Sequence, residues 1–325
     1  MKKIFIHYTI EKLNNLKKIF IYIISILILS FIVGASLLYK SSLTDEENNP
    51  VSPLPDFLTL SKNSQVKLLD LWSPIVGKSQ SGELDLSSLT AKSVIIYDIG
   101  DDKAIFEKNS TLKLPMASLT KIMTAIIAIE NKKTNDSYVV TAKDLVGEDS
   151  MGLTQGEILS FDDLLYGLML PSGNDAAEVL SNNYRSGRSG FISAMNDKAK
   201  SLGLNDTHFD NPSGLQGDGV QYTTAYDLLI LTKYALDNYP EFGKVVATPE
   251  HMIYQTLSHG SYDLHNETNL LTTYSGVKGV KTGFTPEAGL CLVTYLDYNG
   301  QKLIVVILIR ETKKIGRAAC RERWK

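Results

Sequence analysis

Residues Pro115-Met116-Ala117-Ser118-Leu119-Thr120-Lys121 run straight into Ile122-Met123-Thr124-Ala125-Ile126-Ile127-Ala128-Ile129-Glu130. After the proline, the Ala, Ile and Met residues are uninterrupted enough to read as a helix buried inside a core, with Ser118 where its first turn begins. Ser118 and Lys121 stand three residues apart and therefore share one helix face. A serine hydroxyl is a poor nucleophile until a base takes its proton, and a lysine amine one turn away is such a base once its own proton is displaced. Backbone N–H groups at a helix start also favour negative charge. Nucleophile, base and part of an oxyanion site can therefore come from one turn.

The SxxK spacing alone decides little, because Ser64/Lys67, Ser110/Lys113 and Ser275/Lys278 share it. Its bland reading is a solvated lysine beside a capping serine. Two later groups single out Ser118. Ser172-Gly173-Asn174 lies between two predicted helices and offers a hydroxyl and a carboxamide, able to relay a proton and to hold a substrate amide. SxN recurs at Ser61/Asn63 and Ser181/Asn183, where helix capping is the plain alternative. Lys281-Thr282-Gly283 occurs once; by itself it reads equally as a loop or strand-edge lysine.

The chain can enclose such a helix. Its 325 residues are 43% hydrophobic, enough for one large domain or two small ones. A net charge of −3, with no basic stripe among aromatics, excludes a nucleic-acid partner. Cys291 and Cys320 are too few for a disulfide framework, and no Cys/His cluster suggests a metal, so neither a metal nor an organic cofactor is expected.

In chain order, residues 1–18 form a basic segment read as cytoplasmic. Residues 19–39 carry no charge and match the length of a membrane-spanning helix, with the lysines before it holding that end inside. The rival reading is a cleaved signal peptide with Val33-Gly34-Ala35 as a small-residue site. Either way the working domain faces outward. Residues 40–90 read as a linker, Pro-rich around Pro50, Pro53 and Pro55, with Leu68–Trp72 as a short helix. Residues 91–314 are the catalytic domain. Ser93–Tyr97 and Lys103–Glu107 flank Gly100-Asp101-Asp102 as a hairpin, and a helical region follows to about Ser201, with a further helix over Thr224–Leu236. Gly289–Tyr295 and Lys302–Ile309 make a last hairpin through Asn299-Gly300. Strands at both ends with helices between them predict an α/β fold in which one sheet is assembled from both ends and a helical lobe is inserted.

Taken together in the order SxxK, SxN, KTG, the motifs resemble those of the low-molecular-weight penicillin-binding proteins, specifically serine-type D-alanyl-D-alanine carboxypeptidases. The resemblance runs from about Ala91 to Ile309. It extends to Leu114–Ser118, Thr207–Leu215, Tyr222–Leu228 and Gly276–Thr285 followed by Ala288-Gly289. It implies the penicillin-recognising fold, an antiparallel sheet flanked by helices plus a helical lobe, here preceded by an N-terminal transmembrane helix. It further implies a peptidoglycan stem peptide as substrate and β-lactam antibiotics as pseudo-substrates. Ser118 would attack the carbonyl between two terminal D-alanines and Lys121 would be its base, kept neutral by the nearby Lys281 cation. Ser172 would pass the proton to the leaving amine, Asn174 would orient the peptide amide, and Thr282 would bind the terminal carboxylate. Gly283, of the same motif, would line the substrate-binding site, and the backbone amides of Ser118 and Phe284 would form the oxyanion hole.

Three departures qualify the resemblance. Phe284 stands where some relatives have histidine, the apolar span is N-terminal rather than a C-terminal amphipathic helix, and no arginine after the last strand is assignable as a carboxylate ligand. A β-lactamase is the nearest rival, but the chain has SGN rather than SDN and lacks an ExxLN stretch. A non-catalytic wall-binding or antibiotic-sensing protein is the rival of another class, and the intact motifs argue against it. His208 is expected to bond locally and Cys291 to be a buried small hydrophobe. Residues 315–325 turn abruptly basic and resemble translated sequencing-adapter DNA, so a non-native tail is expected there, with a genuine basic surface tail as the alternative.

Overall fold

Residues 89–217 and 219–308 are described by the computed structural model. The segments expected to be cytoplasmic and membrane-spanning, all but the last residues of the expected linker, the expected Leu68–Trp72 helix, and residues 309–325 with the expected non-native tail lie outside these residues.

The first hairpin joins β1 (Ser93–Asp98) to β2 (Lys103–Lys108), as the turn residues predict. A short 3₁₀ turn, Ala117–Thr120, then leads into α1 (Lys121–Glu130), whose residues from Lys121 to Ala128 are all buried. Sequence reading starts the α-helix one turn early. Ala117 has φ 49°, and the Thr120 hydroxyl donates to the Ala117 carbonyl at 2.9 Å, so the chain tightens around Ser118 before the helix begins.

The helical lobe follows. A two-strand ribbon, β3 (Tyr138–Val139) with β4 (Ile158–Leu159), leads to α2 (Phe161–Met169), α3 (Asn174–Asn182) and α4 (Gly187–Ser201). Ser160 caps α2 by accepting from the Asp163 amide at 3.1 Å. Next come α5 (Ala225–Asn238), capped in the same way by Thr224, and α6 (Pro240–Val246), which starts on a proline. A second ribbon, β5 (Glu250–Ile253) with β6 (Tyr262–His265), and the short α7 (Leu270–Thr273) lead back to the sheet.

Three long strands finish the described chain: β7 (Val277–Thr285), β8 (Gly289–Tyr298) and β9 (Gln301–Leu308). Asn299 and Gly300 take φ 52° and 84° between β8 and β9, the two positive values of the favoured hairpin turn. All neighbours in the five-stranded order β2-β1-β9-β8-β7 are antiparallel. Strand β9 seats beside β1 with Ile95 opposite Val306, so the two ends of the domain form one sheet around the inserted lobe. Helix α5 packs on β1 and β9, while α1 lies among α2, α3, α4 and α5. The buried helix anticipated from sequence is thus the axis of the helical lobe, and β7, the edge strand carrying KTG, runs beside the turn at its N-terminal end.

Candidate active site

Ser118 lies on the 3₁₀ turn and is 8% exposed, while Lys121 is the first residue of α1 and wholly buried. The Lys121 Nζ is 3.1 Å from Ser118 Oγ, 2.6 Å from Asn174 Oδ1 and 2.7 Å from the Ser213 carbonyl. Both carbonyl oxygens can only accept. A neutral amine has two N–H bonds and one lone pair; giving the N–H bonds to Asn174 and Ser213 turns the lone pair toward the Ser118 hydroxyl. Burial pushes the Lys121 pKa well below the usual lysine range, and the Lys281 cation pushes it further. The expected role of Lys281 is therefore the second cause: desolvation comes first, with Asp149, Glu267 and Asp175 opposing both.

Asn174 opens α3 and ties Lys121 to the opposite wall, donating through Nδ2 to the Glu148 carbonyl at 2.6 Å. That donation fixes which end of its amide faces the lysine. The next residue, Asp175, accepts from the amides of Met151, Gly152 and Leu153, each at 3.0 Å, and from the Ser150 hydroxyl. It thereby folds the preceding loop against the start of α3. Ser172 is buried, two residues from Asn174, with φ 62°. A positive φ at a non-glycine residue stores backbone strain, and here Ala117, which precedes Ser118, and Ser172, itself expected to relay a proton, both take one.

Ser213 was not singled out by residue reasoning. Its stretch resembles the family's text, but nothing local marks a backbone carbonyl as a lysine ligand. Asn211 builds the loop by accepting from the amides of Ser213 and Gly214 at 3.2 and 2.7 Å and donating to the Leu215 carbonyl at 2.7 Å. The Pro212 carbonyl accepts from the Thr124 hydroxyl at 2.6 Å, docking the loop on α1. Gly214 takes φ 89°, and a Cβ there would come within 2.1 Å of the Ala117 carbonyl. Only glycine permits this approach.

On β7, Lys281 is 1% exposed, and burial lowers its pKa against the opposing pull of Glu267. Thr282 donates to Glu267 Oε2 at 3.1 Å, and Lys281 Nζ lies 3.5 Å from the same oxygen. Gly283 presses on the reactive turn, where an added Cβ would meet the Ser118 amide nitrogen at 3.0 Å. Phe284 is 56% exposed, so its ring points out of the core. SxxK, SxN and KTG are therefore brought to one cleft. Glu267 is a further member that sequence reading missed, because no motif surrounds it.

Two other matches have plain structural partners, whereas Ser64/Lys67 and Ser61/Asn63 lie outside the described residues. Lys113 pairs with Asp206 at the surface at 2.9 Å, while Ser110 donates to Glu107. Ser181 donates to the Glu178 carbonyl, and Asn183 donates to the carbonyls of Val179 and Val139, so that pair serves the end of α3. His208 bonds locally to Asp210 at 3.1 Å, and Cys291 is buried in β8.

Comparison with known proteins agrees with this geometry. A family model described as D-alanyl-D-alanine carboxypeptidase matches residues 78–312. D-alanyl-D-alanine carboxypeptidase DacF of Bacillus subtilis is 34% identical over 230 residues, which span 69% of this chain and 58% of that relative. D-alanyl-D-alanine endopeptidase of Escherichia coli is 35% identical over 227 residues, spanning 68% of this chain and 71% of the relative. Among solved structures, the Streptomyces K15 DD-transpeptidase superposes with a TM-score of 0.63 at 31% identity, covering 69% of this chain and 91% of that one. The sheet and helical lobe are those of the penicillin-recognising fold.

Proposed function

The chain belongs to the D-alanyl-D-alanine carboxypeptidase family, and from that membership and its cleft we propose that it is a serine-type peptidase removing the terminal D-alanine of peptidoglycan stem pentapeptides. Ser118 attacks the carbonyl between the two D-alanines, Lys121 takes the hydroxyl proton, and the released D-alanine leaves an acyl-enzyme on Ser118 that water then hydrolyses. Ser172 hands a proton to the leaving amine, Asn174 orients the substrate amide, and Lys281 and Thr282 receive the terminal carboxylate. The amides of Ser118 and Phe284 stabilise the oxyanion. Gly283 supports this reading by keeping β7 close to the Ser118 turn.

The observation that carries the proposal is the buried Lys121 amine, whose two carbonyl acceptors leave its lone pair for Ser118. A β-lactam carries a strained amide and an adjacent carboxylate, so benzylpenicillin should acylate Ser118. Intact-mass measurement after incubation tests this: one adduct per chain, absent in Ser118→Ala, is expected. A full adduct on Ser118→Ala contradicts it.

Residues 91–314 form the catalytic domain in this reading, acting outside the cytoplasm. No described helix is long and apolar enough to cross a membrane. The 19–39 segment, outside the described residues, supplies the proposed anchor on the strength of its uncharged length. A reporter fused after Lys40 should be active only outside the cytoplasm and stay with the membrane. Release of a soluble product beginning near Ser36 would favour the cleaved-signal alternative.

A further inference from the structure

The anion-binding pair on β7 already holds a carboxylate. Glu267 Oε2 accepts from Thr282 at 3.1 Å and lies 3.5 Å from Lys281 Nζ. These are the two groups that the proposed function assigns to the substrate's terminal carboxylate. Two carboxylates on one cation and one hydroxyl repel each other, so one has to leave.

The local structure makes Glu267 the one able to move. Its side chain is 44% exposed, whereas Lys281 is buried and fixed on a strand. Its backbone is held at both ends: the Glu267 amide donates to the Leu170 carbonyl at 3.1 Å and its carbonyl accepts from Asn269 at 2.9 Å. Neighbouring Asn266 is clamped to the carbonyls of Val246 and Thr248. Rotation about the side-chain bonds therefore withdraws the carboxylate into solvent without moving the segment.

We infer that Glu267 is a specificity-determining residue, an internal competitor whose carboxylate occupies the Lys281–Thr282 site in the free enzyme and is displaced when a carboxylate-bearing substrate enters. The inference rests on the proposed function of that site. A substrate with a well-placed terminal carboxylate gains Lys281 and Thr282 but has to expel Glu267 first. A ligand lacking that charge neither expels Glu267 nor gains the pair. The carboxylate thus reduces the advantage that an anionic ligand has over an uncharged one, so the site's preference for anions is set by the balance between the two carboxylates.

The test is the second-order rate of Ser118 acylation by benzylpenicillin and by its uncharged methyl ester, in the wild type, Glu267→Gln and Glu267→Asp. Removing the competing charge should raise the acid-to-ester rate ratio about tenfold in Glu267→Gln. Glu267→Asp, which keeps the charge but withdraws it by one methylene, should lie between. The KM for a D-Ala-D-Ala peptide should fall in Glu267→Gln with kcat changing less. An unchanged or lower ratio overturns the inference, as does an equal loss for acid and ester, which would mean that Glu267 merely holds Lys281 in place. In those outcomes the wild type is still acylated at Ser118, so the proposed function stands. Absence of acylation in every form, the wild type included, would instead overturn the proposed function and this inference with it.

Discussion

At Lys121 the chemistry reduces to counting protons. Three potential partners surround one amine, and two of them are carbonyl oxygens that can only accept. Burial is the larger reason that its pKa is depressed and Lys281 the second, so the amine is neutral over a wider pH range than an ordinary lysine. The sign for activity follows. Protonated Lys121 cannot take the Ser118 proton, so acylation is lost as pH falls through the depressed pKa and is fully present above it. Lys281→Ala removes a neighbouring cation and leaves the opposing carboxylates Asp149, Glu267 and Asp175 in place. The acid limb of acylation by benzylpenicillin should then move to higher pH, read from rates at saturating and at limiting drug; an unmoved limb would refute the coupling between the lysines. Sequence alone suggested that Lys281 keeps Lys121 neutral and could not rank burial above it. The partners that enclose Lys121 lie 53 and 92 residues away, one of them a backbone oxygen that no residue type announces. Glu267 was illegible for a related reason: only the fold brings a carboxylate in an unmarked segment onto Thr282.

At the scale of elements, the reactive turn is held by close approach from two sides. The Asn211-bound loop places Gly214 on the Ala117 carbonyl, and β7 brings Gly283 to the Ser118 amide. Gly214→Ala combines a 2.1 Å overlap with backbone and a left-handed φ of 89°, so the loop or the turn has to shift. The expected cost is about 3 kcal/mol, a fall of roughly 6–12 °C in Tm for a domain of this size, with acylation impaired even where folding persists. Gly217→Ala serves as the control, because its φ of 116° is also left-handed but no heavy atom lies within 4 Å of the added Cβ. A control that loses as much stability as Gly214→Ala would show that backbone conformation, not the approach to Ala117, dominates. Elements with strong local signals were legible: the β1–β2 hairpin, the Asn299-Gly300 turn and α1 to within one turn. The ribbons β3–β4 and β5–β6 were not, since strands of two to four residues leave too short a period to read. The start of α1 was misread by one turn because a positive φ at Ala117 leaves no signature in an alanine.

For the whole molecule, the sheet assembled from the two ends of the described chain provides the edge strand with Lys281, while the inserted lobe provides Ser118, Lys121, Ser172 and Asn174. Strand signals at both ends with helix signals between them made that division readable. The motif order resembles that of the family, which ties the separate segments to one site. The central claim is that this cleft turns over a D-Ala-D-Ala terminus through Ser118, and the most direct measurement is D-alanine released from a synthetic stem pentapeptide by the wild type and by Ser118→Ala. The account predicts many molar equivalents of D-alanine per enzyme, with the tetrapeptide as the matching product, and none above background from the alanine variant. No release from folded wild-type protein that benzylpenicillin still acylates would contradict it, as would release that persists undiminished in Ser118→Ala.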